Sequence, residues 1–379
     1  MSRIAPFLLD KEVEEFFIDG WDSKIYLTHS IYGKMDSDIV LTKEEIEAII
    51  THLQVYSGKD VTEDKPTLKT DLKTQDFHLR VNLDIEPLAV DGPIISFRNL
   101  RRKYFTITEL IKNGTISLEG AAFLIFCGWA KQNIVIIGET GSGKTTLMNS
   151  IDLALPTHWR KIYIEDVVES LEQRNLGKHQ ARYKVKTIAS GEEESKTVQS
   201  LLSLHRSPDY FILGEILTEE HSKALFSALA SGLRGIETFH SSSVEQALRR
   251  WTIHHKIPEI CLRDLNVIVM MVKFEREKPI RRVFGIYEIR EDTGQPFRIF
   301  SYNEKIDKLE VAYELEDTDT FKRIAKFFGI SISDVYEIYI DVCEALRQNL
   351  DINCVEKAAS FFTDLYKRVL WNRWRKIVV

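Results

Sequence analysis

Asn133-Ile134-Val135-Ile136-Ile137-Gly138-Glu139-Thr140-Gly141-Ser142-Gly143-Lys144-Thr145-Thr146-Leu147-Met148 is the stretch on which the fold turns. An apolar strand runs into a glycine-rich turn, and the turn runs into the start of a helix. Glycines at such a turn let successive backbone N–H groups point inward around a phosphate, at the positive end of the following helix. Lys144 then reaches the β- and γ-phosphates, and the Thr145 hydroxyl takes a place on Mg²⁺. Gly138, Glu139, Thr140, Gly141, Ser142, Gly143, Lys144, Thr145 and Thr146 are therefore the expected cradle of ATP and Mg²⁺.

Downstream, the segment Ile162-Tyr163-Ile164-Glu165-Asp166-Val167-Val168-Glu169 reads as a strand ending in a carboxylate pair. Acids at that place orient water or share Mg²⁺ through its water shell, the alternative being that they cap the next helix. Residues 206–215 read as a buried strand that delivers Glu215 at its carboxyl end, where a carboxylate positions or deprotonates an attacking water and adds to the metal shell. Residues 230–241 form a small-residue turn and then a strand ending in His240, a residue suited to sensing the γ-phosphate or bonding the catalytic carboxylate, although single histidines are usually structural. Glu215, Glu165, Lys144 and His240 are the catalytic candidates, and Thr145, Glu165, Asp166 and Glu215 the metal candidates.

The chain has 379 residues, 44% hydrophobic and 28% charged, enough to bury a core in two or three domains. A net charge of −6 argues against a surface devoted to coating DNA or acidic lipid. The four cysteines form no Cys-x-x-Cys pair and have no histidine at zinc-like spacing, so no zinc is expected and they read as small buried hydrophobes in a reducing compartment. The longest apolar run, residues 121–130, is far short of the roughly 20 residues that span a bilayer. No signal-peptide pattern opens the chain, and a cytoplasmic location is expected.

Residues 1–103 read as a small α+β domain, with helices at 11–17 and 42–56, the latter capped by Thr42 with Glu45, and strands at 24–28, 77–81 and 94–98. Residues 104–310 alternate strands and helices, with strands at 161–164, 210–213, 267–272 and 282–289. That alternation implies a parallel sheet with its chemistry at the carboxyl ends of the strands. Residues 311–379 carry apolar residues at helical spacing over 321–328, 332–346 and 355–371 and read as a helical tail. Basic residues Lys367, Arg368, Arg373, Arg375 and Lys376, interleaved with Tyr366, Trp371 and Trp374, suggest contact with anionic lipid or a partner, or simply a solvated helix end.

Taken in order, residues 138–145, 164–169, 206–215 and 231–240 resemble the P-loop, aspartate box, Walker B strand and histidine box of the secretion-traffic ATPases of type II and type IV secretion, type IV pili and archaeal flagella. Residues 97–106 look like the linker of the archaeal branch, and Leu9-Asp10, 25–33 and 58–68 are similar to its N-terminal domain. The resemblance implies an α/β fold, a RecA-like P-loop ATPase domain joined to an N-terminal α+β domain, working as a homo-hexamer on a polytopic membrane platform protein. It also implies that N-terminal or linker arginines compensate phosphate charge, and Arg80, Arg98 and Arg101 are the positions to which that role carries. The expected function is an ATP-hydrolysing motor at the cytoplasmic membrane, moving its N-terminal domain about a linker at 103–108, with no sequence-specific nucleic acid. A nucleic-acid-translocating motor and an ATP-binding conformational lock are the alternatives. Two departures stand out: Leu217 where the family has arginine after Gly-Glu-hydrophobic, and Leu233 in place of the first histidine of the histidine box.

Overall fold

The computed structural model describes residues 2–100, 104–185, 195–276 and 278–371, so Arg101 and the basic residues 373–376 lie outside the described residues. The chain forms two compact units, residues 1–103 with 275–280 and residues 104–274 with 281–379.

The first unit begins with helix α1 (Ala5–Leu9) and strands β1 (Val13–Asp19), β2 (Lys24–His29) and β3 (Gly33–Val40). Helix α2 (Lys43–Ser57) and strands β4 (Thr67–Lys73), β5 (His78–Asp84) and β6 (Ile94–Asn99) complete it. The six strands form one antiparallel sheet in the order β3-β2-β1-β6-β5-β4. Phe16 and Phe97 stack at 4.4 Å in its core, and Ile46, Ile49 and Leu53 of α2 join that core. Thr42 and Glu45 form the expected capping box at the start of α2.

Residues 11–17, expected as a helix, instead lead into and largely form β1. A bulge between Val13 and Glu15 shifts the register of this strand against β2. Val13 and Phe16 are therefore both buried at a spacing of three before Ile18 resumes alternation, which imitates helical periodicity in the sequence.

The second unit contains helices α3 (Ile107–Lys112) and α4 (Leu118–Trp129), strand β7 (Ile134–Gly138), helix α5 (Lys144–Leu153) and strands β8 (Arg160–Glu165) and β9 (His179–Lys184). Helix α6 (Lys196–Leu202), β10 (Tyr210–Ile216), α7 (Glu219–Ala230), β11 (Gly235–His240) and α8 (Val244–Arg249) follow. Strands β12 (Val267–Phe274), β13 (Ile280–Ile289), β14 (Pro296–Asn303) and β15 (Lys308–Val311) then precede tail helices α9 (Asp319–Phe328), α10 (Ile332–Gln348) and α11 (Val355–Tyr366). The sheet order is β15-β14-β13-β12-β7-β11-β10-β8-β9. From β12 to β9 every neighbouring pair is parallel, so β7, β8, β10 and β11 open at one edge.

The apolar run at 121–130 is the wholly buried core of α4, and among the described residues no helix is long and apolar enough to cross a membrane. Tail residues Phe321, Ile324, Val335 and Phe362 share that core. Buried Glu288 on β13 accepts from the Thr320 N–H at 2.8 Å and its hydroxyl at 2.9 Å, which satisfies the amino end of α9. Thr106, which caps α3, and Thr108 both donate their hydroxyls to the Ile352 carbonyl, anchoring the start of this unit to the tail. Cys127 and Cys343 are buried, whereas Cys261 and Cys354 are only half-buried, so the expectation of burial holds for two of the four.

Candidate functional site

The residues after β7 make a turn that only glycine permits at its ends. A Cβ on Gly138, at φ +155°, would lie 2.5 Å from the Met271 carbonyl oxygen, and Gly143, at φ +97°, is the left-handed residue that starts α5. No side chain caps α5, which leaves its first N–H groups directed at the turn. The Ser142 hydroxyl is buried and has no hydrogen-bond partner, and Arg281 on β13 donates to the Gly141 carbonyl at 2.8 Å. An uncapped helix start, an orphaned hydroxyl and a backbone too close for side chains together fit a phosphate group.

Lys144 is buried, and its Nζ donates to the carbonyls of Gly138 and Glu139, each at 3.0 Å, and lies 3.4 Å from His240 Nδ1. Burial pulls its pKa below the ordinary lysine value, against the opposing pull of Glu215, Glu169 and Glu139. His240 sits beside Gly138 in the β11–β7 pairing, and its Nε2 meets the Glu215 carboxylate. Burial would raise the Glu215 pKa, but the hydrogen bond and charge of His240 and the charge of Lys144 outweigh it and hold the carboxyl below its ordinary range. Lys144, Glu215 and His240 are thus brought together from α5, β10 and β11.

Glu165 stands differently. Its Oε1 accepts from the N–H groups of Glu169 at 3.0 Å and Ser170 at 2.9 Å, and its Oε2 from the Ser170 hydroxyl at 2.6 Å. Only 2% exposed, it is pushed above the ordinary carboxylate pKa by burial, which those three hydrogen bonds only partly offset. The carboxylate of Asp166 pairs with Lys196 Nζ at 3.2 Å; burial raises its pKa, but the Lys196 charge and hydrogen bond bring it down on balance. Among the described residues no group of three or more histidine, cysteine, aspartate or glutamate side chains is placed to hold a metal. Magnesium is ordinarily bound by one or two protein groups together with substrate phosphates and water; of the expected metal residues, Thr145 lies in the first turn of α5 and Glu215 is charge-coupled to Lys144.

Sequence reading missed the cations that tie these strand ends together. Lys196, 2% exposed, also donates to the Glu215 carbonyl at 2.6 Å. Arg250 donates to the carbonyls of His240 at 2.9 Å and Leu217 at 3.0 Å, bracing β11 against the end of β10 while its guanidinium covers the Phe239 ring. Lys196 and Arg250 carry no motif of their own, and their partners lie far away in sequence. Leu233 is buried in the turn before β11, a packing position.

In the first unit, Arg98 and Arg80 are directly paired on neighbouring strands. Like charges so placed repel, and each is held by a carboxylate one strand further out, Arg98 by Glu15 and Arg80 by Asp71 at 3.3 Å. The two arginines therefore form the middle of a charge row across β1, β6, β5 and β4.

Residues 4–262 match the family model described as Type II/IV secretion system protein. MJ1287 of Methanocaldococcus jannaschii, an uncharacterized protein, is 33% identical over 249 residues, covering 63% of this chain and 90% of its own length. The type IV secretion system protein PtlH of Bordetella pertussis is 24% identical over 321 residues, covering 76% of this chain and 93% of its own. Among solved structures, the pilus retraction motor PilT with bound ADP superposes with a TM-score of 0.55 at 15% identity, over 94% of this chain and 95% of that one, a likeness of fold. The chain belongs to the type II/IV secretion ATPase family, with a RecA-like domain, an N-terminal domain and a helical C-terminal region.

Proposed function

From that membership and the geometry of the strand ends, we propose that this chain hydrolyses ATP with Mg²⁺ and works as a motor of a pilus-like, archaellum or secretion apparatus, in a ring of six at the cytoplasmic face of the membrane, against a polytopic platform protein. The observation that carries the reading is the convergence of Lys144, Glu215 and His240 beside an uncapped, glycine-built helix start. The N–H groups at the start of α5 and the Ser142 hydroxyl hold the phosphates. Lys144 exchanges its bonds to two carbonyls for phosphate oxygens. Thr145 and Glu215 would hold Mg²⁺, with Asp166 reaching it through water, whereas both Glu165 oxygens are already taken by Glu169 and Ser170. When bound, the metal neutralises charge on the β- and γ-phosphates.

Glu215 is the group suited to orienting the attacking water and accepting its proton: the lowered pKa weakens it as a base but keeps its carboxylate ionised. His240 keeps that carboxylate in place and links it to the cradle through Lys144. Arg80, Arg98 and Arg101 would add positive charge at the γ-phosphoryl group as the ring closes. The motion would turn on the linker at 103–108.

The reading is tested by phosphate release from ATP with Mg²⁺ and with a chelator. Wild type releases phosphate only with the metal, and Lys144→Ala lowers the rate by about 10²–10³, the loss expected when a charge-stabilising donor is removed. Metal-independent release, or a Lys144→Ala variant of undiminished rate, overturns it.

A further inference from the structure

Strands β8 and β10 pair in parallel from Lys161 with Tyr210 as far as Ile164 with Leu213. Beyond that last rung the β10 register shifts against β11 between Leu213 and Glu215. Glu215 therefore lies beyond the last rung with β8 and pairs with Thr238 of β11 only after a one-residue shift at Gly214. The group spanning β8 and β10 there is the ammonium of Lys196, bonded to the Asp166 carboxylate past β8 and to the Glu215 carbonyl on β10.

We propose that Lys196 is a positioning residue for Glu215, setting the direction of that carboxylate by holding its backbone carbonyl and anchoring itself on Asp166. The inference rests on the reading of Glu215 as the water-orienting group.

Three observations support it. Lys196 is the first residue of α6, where a cation opposes the helix dipole and has nothing to offer the unpaired N–H groups, so helix formation does not account for its place. A lysine with its side chain 1% exposed is strongly penalised by desolvation unless paired and hydrogen-bonded, so its geometry is tightly specified. Its partners are the two strand ends that bear the site's acids, whereas the Glu215 side chain has partners of its own in His240 and Lys144. Lys196 thus acts on the backbone of Glu215 and not on its carboxylate. A carboxylate displaced by even an ångström loses much of its effect on a reacting water, while the phosphate cradle, built on β7 and α5, is untouched.

The test is steady-state ATP hydrolysis by the full chain, with nucleotide binding measured separately. Lys196→Met should lower kcat by about 10- to 100-fold while KM and nucleotide affinity stay within about twofold. Lys196→Arg, which keeps the charge and the donors, should recover most of the rate. If the methionine variant does not fold, Lys196→Gln takes its place with the same expected split. A lowered melting temperature with unchanged kcat at a permissive temperature, or a raised KM with unchanged kcat, overturns the proposal. So does a folded Lys196→Arg as slow as the methionine variant. Glu215→Gln is assayed alongside: if it turns over like wild type, the reading of Glu215 fails, whereas a dead Glu215→Gln beside an unimpaired Lys196→Met sinks only the positioning role.

Discussion

The carboxyl ends of β8 and β10 are neighbours, each presents a glutamate, and the pKa values of the two glutamates shift in opposite directions. Glu165 is enclosed by the loop that follows it, taking three hydrogen bonds from Glu169 and Ser170, and burial drives its pKa up. Glu215 faces His240 and Lys144, whose charges drive its pKa down. The same residue type at the same topological position thus becomes a loop clamp in one strand and a carboxylate facing His240 and Lys144 in the other. Strand position delivers a side chain to the site, and the partners waiting there decide what it does.

Substitution breaks the comparison most severely. Glu215→Gln should lower the rate of phosphate release by about 10²–10³, whereas Glu165→Gln, which disturbs only the loop, should cost less than about tenfold. The rates of the two purified variants check this, and the reverse order would move the water-orienting role to Glu165.

The pH dependence sharpens it. With Glu215 as the essential base, kcat/KM should fall only when pH drops below the ordinary glutamate value of about 4.3. A base with the raised pKa of Glu165 would put that fall above it. The acid limb, recorded over the range in which circular dichroism shows the chain folded, separates the two.

The smallest effect lies in a third glutamate of the same sheet. Glu237 on β11 is fully buried, neither carboxyl oxygen has a hydrogen-bond partner, and burial drives its pKa well above the ordinary value. A raised folded-state pKa favours the folded chain below the unfolded pKa of about 4.3 and is lost as pH climbs through the folded value. Glu237→Met should therefore stabilise the chain at pH 7.5 by roughly 1–3 kcal/mol, and by less near pH 4.5. Melting temperatures of the variant and wild type at the two pH values check the sign.

Much of the fold could be read from residue order; β1, the interior strand β14 and the sheet edges escaped. The four sheet edges β3, β4, β9 and β15 were not anticipated: edge strands carry lysine, aspartate and other polar residues that blur alternation. Strand β1 was hidden by its bulge. Residue order alone determined the glycine turn after β7, the apolar strand that ends at Glu215 and the histidine that ends β11, because these signals depend on spacing along the chain. Only the tertiary structure decided that Glu165 is spent on its own loop, that Lys196 and Arg250 brace the strand ends, and that Arg80 stands beside Arg98. Each of those outcomes is an electrostatic contact, and a charge has no defined partner until folding fixes the loop or strand that carries it within a few ångströms of another group.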